Sequence, residues 1–125
     1  MKKRFLLMVV PAVLLLSLVY IVSIKACDYH VERRKEVVLQ LHLWTVRNAI
    51  DFYREDKKRT PESLQDLVSA GYLREIPADP ITKSNQTWIV DREKESSVPN
   101  SPPGVIDLHS GAGGADSHGK PYNKY

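Results

Sequence analysis

The residues best equipped for chemistry lie near the end of the chain. Asp107-Leu108-His109 and Asp116-Ser117-His118 are two D-x-H units nine residues apart. Carboxylate and imidazole are ligands that zinc takes in four-coordinate sites. Alternate residues of a strand share a face, so Asp107 and His109 would project together. A returning loop would then bring Asp116 and His118 opposite them. Two exposed histidines are the plainer reading, because so short a pattern often arises by chance. Catalysis finds no other foothold. G-x-S-x-G, a phosphate loop and H-E-x-x-H are all absent. The single cysteine, Cys27, excludes an intrachain disulfide and any multi-cysteine metal centre. The expectation is a protein that is not an enzyme.

The elements that must position these groups are short. Gly104 to His109 reads as a strand, with Val105, Asp107 and His109 on one face and Ile106 and Leu108 on the other. Thr87 to Val90 is a second strand candidate, with Trp88 as its buried anchor. Asp91 to Pro103 reads as an exposed loop, and the glycine-rich stretch from Ser110 as a loop pinned by two tyrosines. Ile76-Pro77-Ala78-Asp79-Pro80-Ile81-Thr82 is an ordered connector, since each proline holds its predecessor extended. Before it, Thr60-Pro61-Glu62-Ser63 opens a short helix. Thr60 is the expected cap and Pro61 the first helical residue, with Gly71 as the stop.

Upstream, nothing between Asp28 and Lys58 breaks a helix. Leu39, Leu43, Val46, Ile50 and Tyr53 form one apolar stripe, which Val38, Leu41 and Trp44 are expected to widen. Arg47, Asp51, Arg54, Glu55 and Lys58 lie largely off it. The stretch Phe5 to Ile24 carries no charge and no glycine, and it matches the ~20 apolar residues that span a bilayer core. Lys2, Lys3, Arg4 and Lys25 flank it. It exceeds the core of a short secretory signal, about 7–15 residues, and reads as a retained anchor. Ile24-Lys25-Ala26-Cys27 also loosely resembles a lipoprotein cleavage box, which would make Cys27 a lipidation site. Anchor and amphipathic stretch form either one helix of about 80 Å at 1.5 Å per residue or two, hinged near Cys27–His30.

Charge divides the 125 residues unevenly. Residues 1–59 hold 12 Lys/Arg against 6 Asp/Glu, and residues 60–125 hold 6 against 9, which together give the net charge of +3. The C-terminal half therefore offers no basic face to nucleic acid. Asn85-Gln86-Thr87 matches a glycosylation acceptor, a pattern frequent by chance.

In this order the parts resemble the pilin-like proteins of bacterial secretion and pilus machines, most closely the major pseudopilins of type II secretion. Val46-Arg-Asn-Ala-Ile-Asp-Phe-Tyr53 is similar to that family's RxAIDxY stretch. Thr60-Pro-Glu-Ser-Leu-Gln-Asp-Leu67 followed by Gly71-Tyr-Leu73 is similar to its PxSLxxL…GYL turn. Ile76-Pro-Ala-Asp-Pro-Ile-Thr82 with Trp88 is similar to PxDPxT…W. Ile106-Asp-Leu-His-Ser-Gly111 and Gly119-Lys-Pro-Tyr122 are similar to DxxSxG…DGxxY. These cover about residues 43–125.

The resemblance implies an α+β, pilin-like fold: a long N-terminal helix, membrane-embedded in its first half, packed on a short helix and a small antiparallel sheet with a C-terminal loop. It divides the chain into a cytoplasmic tail (1–4), a transmembrane helix (5–24), an amphipathic continuation (25–59) and a globular head (60–125). It implies a single-pass protein of the bacterial inner membrane with its C-terminal domain in the periplasm. Its partners would be the membrane, further copies of itself or other pseudopilins, and an inner-membrane secretion platform. It also implies a calcium-binding loop, with Ser110, Asp116 and the Leu108 carbonyl as ligands; a loop held by Tyr122 packing is the alternative. The N-terminus departs from the family. No Gly-Phe-Thr-Leu-x-Glu processing motif precedes the anchor, and no acid occurs before Asp28. Processing, N-methylation and the membrane glutamate thought to pair subunits therefore do not carry over.

Overall fold

The computed structural model describes residues 2–96 and 99–125, with side chains from residue 9 onward. Met1, Ser97 and Val98, and the basic side chains expected in the 1–4 tail, lie outside that description. The chain order is α1 (Lys2–Lys57), α2 (Leu64–Ser69), β1 (Ile89–Arg92), β2 (Val105–His109) and a terminal 3-10 turn (Tyr122–Lys124). The residues divide into two compact units, Met1–Arg33 and Arg34–Tyr125.

In the first unit α1 presents an almost wholly apolar surface from Val9 to Ile24, ahead of the charged residues that begin at Lys25. Among the described residues it is the one helix long and apolar enough to cross a membrane, and none of its apolar window is buried within the protein. The two serines return their hydroxyl protons to the helix itself, Ser17 Oγ to Leu14 O and Ser23 Oγ to Val19 O, each at 2.8 Å. Both serine hydroxyls are thereby satisfied within the helix, as apolar surroundings would require. Helical geometry runs through Cys27–His30, where the sequence left a hinge open.

The second unit, Arg34–Tyr125, holds the core. Leu39, Leu43, Val46, Ile50 and Tyr53 are all buried, as their spacing requires. They meet Leu64, Leu67, Leu73, Trp88, Val105, Leu108 and Tyr122. The widening residues do not join them. Val38, Leu41 and Trp44 face outward, with Leu41 56% and Trp44 64% exposed. The head covers one helix face only, and these three lie around the cylinder from it. Arg47 corrects the reading in the opposite direction: it is half-buried and reaches the sheet.

α1 ends at Lys57, and the next residue, Lys58, adopts a left-handed φ of 55°. The α2 cap is Ser63, three residues later than expected. Asp66 accepts the Glu62 and Ser63 amides at 2.8 and 3.1 Å, meeting helix-start donors that would otherwise go unpaired. Thr60 is buried and donates instead to Glu93 Oε2 at 2.9 Å. The stop falls where expected. Gly71 takes φ 83°, with Tyr72 N bonded to Leu67 O at 2.9 Å and Gly71 N to Val68 O at 3.1 Å, a Schellman closure.

The sheet is one antiparallel pair. β1 begins two residues later than expected and runs on through Arg92, while Trp88 is buried just ahead of it and donates Nε1–H to Pro77 O at 2.8 Å. The register pairs Asp91 with Asp107 and Arg92 with Val105, so Ile106 is an extra residue on β2. This bulge breaks the expected alternation: Val105 and Leu108 both face the core and Ile106 faces out.

Candidate functional site

Beyond the bulge the register places Asp91 opposite Asp107 and Ile89 opposite His109. Alternation then sets Asp91, Asp107 and His109 on one sheet face. One ligand atom from each lies within 4.8 Å of the others. His109 Nε2 sits 2.7 Å from Asp91 Oδ2, and His109 Nδ1 sits 3.2 Å from the backbone oxygen of Tyr125. The Asp91 hydrogen bond raises the imidazole pKa above its ordinary value, opposed by partial burial. Arg47 closes the other side. Its Nε donates to Asp107 Oδ1 at 2.6 Å, and its Nη2 donates to Leu108 O at 3.1 Å and Tyr125 O at 2.9 Å. One guanidinium fork thus ties α1 to β2 and to the terminal turn.

The structure therefore joins Asp107 and His109 as their spacing suggested, but with Asp91 as the third group. Asp116 and His118 belong to a separate turn. Asp116 Oδ1 accepts the His118 and Lys120 amides, each at 2.8 Å, and Oδ2 accepts the Tyr125 hydroxyl. That hydroxyl lowers the Asp116 pKa, with the Lys120 and His118 amides adding to it, and Asp116 in turn pushes Tyr125 up to about 12. Lys120 Nζ lies 3.9 Å from the centre of the Tyr125 ring.

The three oxygens implied as calcium ligands have separate partners. Leu108 O receives the Arg47 guanidinium. Ser110 is fully buried and donates its hydroxyl to Asp79 Oδ2. Asp116 serves its own turn, as above. Each of the three is engaged with a different partner, so this arrangement does not gather them round one cation.

Asp79 explains the connector. It is fully buried, its Oδ1 accepts Ile81 N at 2.8 Å and Thr82 N at 3.4 Å, and its Oδ2 holds Ser110. The next residue must be glycine for contact reasons, because a Cβ at Gly111 would stand 2.0 Å from Thr87 O. A second long tie comes from Glu36, also buried. It accepts Ser117 N at 2.8 Å and Ser117 Oγ at 3.0 Å.

The other notable surface is the outward side of α1. Val37, Leu41, Trp44 and Phe52 recur at helical spacing, and each is more than half exposed. A shallow groove of about 230 Å³ runs beside Trp44, Thr45, Asn48, Phe52 and Tyr72. Cys27 is exposed on α1 as well. Sequence reasoning had not singled out Asp91, Glu36 or Phe52. Phe52 was open to detection, since it continues the row of Val37, Leu41 and Trp44. No protein-family model, curated protein or solved structure matches this chain.

Proposed function

We propose that this protein is a membrane-anchored, pilin-like structural subunit of a type II secretion or related pilus-like machine, and that it acts by packing rather than by catalysis. The observation that carries the reading is the pair of apolar rows on α1. Leu39, Leu43, Val46, Ile50 and Tyr53 are consumed by the head, whereas Val37, Leu41, Trp44 and Phe52 are left outward. Both lie on the helix whose earlier part is apolar enough to span a bilayer. A helix apolar on two faces supports a role in which the second face meets another helix. In this reading the anchor sits in the bacterial inner membrane, the head lies in the periplasm, and the neighbours are further copies, other pseudopilins or the membrane platform.

The test is crosslinking in native membranes, from photoreactive residues placed at positions 41, 44 and 52. Adducts with a second copy or with another membrane-anchored helical subunit are expected, and Trp44→Asp should abolish them while leaving the circular dichroism of the head unchanged. Absence of adducts from all three positions refutes the packing role. The lack of an acidic residue before Asp28 favours a second reading, a non-polymerising envelope protein lipidated at Cys27. Intact mass of the membrane-extracted chain separates the two, since that reading requires a chain beginning at Cys27 with acyl groups attached.

A further inference from the structure

The face of the two-stranded sheet holds a donor set that the packing role leaves unused. We propose that Asp91, Asp107 and His109 form a binding site for a divalent metal ion of the zinc class, clamping β1 to β2. The inference is independent of the packing reading. Three features carry it.

The three ligand atoms converge within 4.8 Å, from two strands whose register is set by the bulge at Ile106. His109 is oriented for the task. The Tyr125 backbone oxygen can only accept, so Nδ1 carries a proton, while Nε2 donates its own to Asp91 Oδ2 and would have to give that proton up to a metal ion. A ligating histidine held by a backbone oxygen at its other nitrogen is the usual outer-shell arrangement. Asp107 is oriented too. Among the described residues, both hydrogen bonds that it accepts end on Oδ1, from Arg47 Nε at 2.6 Å and from its neighbour Leu108 N at 2.7 Å. Oδ2 is left to turn towards the site.

One imidazole and two carboxylates suit zinc, with water completing four-coordination at ~2.0–2.2 Å from each protein ligand. Calcium prefers oxygen alone, so the imidazole argues against it. The ion would part His109 and Asp91 slightly, since 2.7 Å is closer than two ligands of one tetrahedral zinc approach. Asp91 is exposed on an edge and has room to withdraw. A lone hairpin is marginally stable in water, so a cross-strand ion would have a mechanical use.

The experiment is calorimetric titration of the detergent-solubilised full chain with zinc chloride, in a Cys27→Ser, His118→Ala background that removes two competing ligands. One equivalent should bind, with a rise in the unfolding temperature. His109→Ala should weaken binding at least about tenfold, as even outer-shell losses cost about 10–100-fold. Asp91→Asn should do the same, and its exposed position leaves the fold intact should His109→Ala disturb it. No stoichiometric binding overturns the proposal, as does binding that survives Asp91→Asn. Calcium chloride saturating the same site with equal affinity overturns the assignment to the zinc class.

Discussion

Replacing Asp79 tests whether one buried carboxylate holds the connector to the C-terminal loop. Asp79→Ala strands the Ser110 hydroxyl, which is fully buried, and the Ile81 amide, bonded at 2.8 Å. Each unsatisfied buried group costs about 1–3 kcal/mol, and relief of the desolvated carboxylate returns part of it, so the net loss is about 3 kcal/mol. In a domain of roughly this size 1 kcal/mol moves the unfolding temperature by about 4–8 °C, so a fall of about 12–24 °C is expected. Asp79→Asn is the discriminating variant. Its remaining oxygen still serves Ile81, but its amide group meets a Ser110 Oγ that already accepts Ala112 N at 3.1 Å. That oxygen can rotate to accept a second donor, so the cost is about 1–2 kcal/mol, the loss of charge assistance. The assay is thermal unfolding of the detergent-solubilised full chain by near-ultraviolet circular dichroism. This signal follows packing of the Arg34–Tyr125 unit rather than the helix content of the apolar stretch before it. A loss below about 1 kcal/mol for Asp79→Ala, or an Asn variant no better than the Ala variant, would refute the reasoning.

Two further outcomes follow from the polar ties. Arg47→Met removes three hydrogen bonds, but the Arg47 and Asp107 side chains are 37% and 40% exposed, so the expected loss is discounted to about 1–2 kcal/mol. The matching fall in unfolding temperature is about 4–16 °C, and full recovery by Arg47→Lys, which keeps the charge without the fork, would sink the geometric argument. The Asp116–Tyr125 bond predicts a pH window. Asp116 is depressed below its ordinary 3.8, so its contribution is present above that value and is lost as pH falls through the lower folded value. Tyr125 is raised from 10.0 to about 12, so its contribution is complete below 10 and is lost as pH rises through about 12. The unfolding-temperature gap between the native chain and Tyr125→Phe should therefore be flat between these limits and close at both ends; a gap that changes near neutrality would contradict this.

What the sequence discloses depends on how local the physics is. The core stripe was legible because its 4, 3, 4, 3 spacing is a property of one helix, and the same holds for the Gly71 stop. Periodicity could not say which apolar row would meet the head, so Val38, Leu41 and Trp44 were placed inside. Thr60 was misread as a cap because the partner that claims its hydroxyl, Glu93, is 33 residues away. The strand faces were misread because a bulge belongs to a pair of strands, not to either one. The candidate site divides the same way. Asp107 and His109 share a face through their own spacing, but Asp91 joins them only through a register set across the intervening loop. The tie from Glu36 to Ser117 spans 81 residues and has no local signature.

The division between the two rows of α1 also has an energetic logic. The inward side is reinforced by directional ties: Arg47 to β2, Glu36 to Ser117, and His42 Nδ1 to Ala78 O at 2.8 Å. These fix one register between helix and head. The outward row relies on area. Val37, Leu41, Trp44 and Phe52 are 66, 56, 64 and 60% exposed, and full burial of such a side chain is worth about 1.5–3 kcal/mol. Covering what remains open would recover about 4–7 kcal/mol in all. Association in solution costs on the order of 4–15 kcal/mol in lost rigid-body freedom. The row alone is then too weak to hold two free heads together, which suits the proposed role, in which partners would share a membrane. Confinement in a bilayer, as proposed, would remove much of that freedom beforehand, as tethering does for linked binding modules. Under the proposed packing role, the apolar stretch would then be part of the binding mechanism: it would raise the local concentration at which a modest apolar row becomes sufficient.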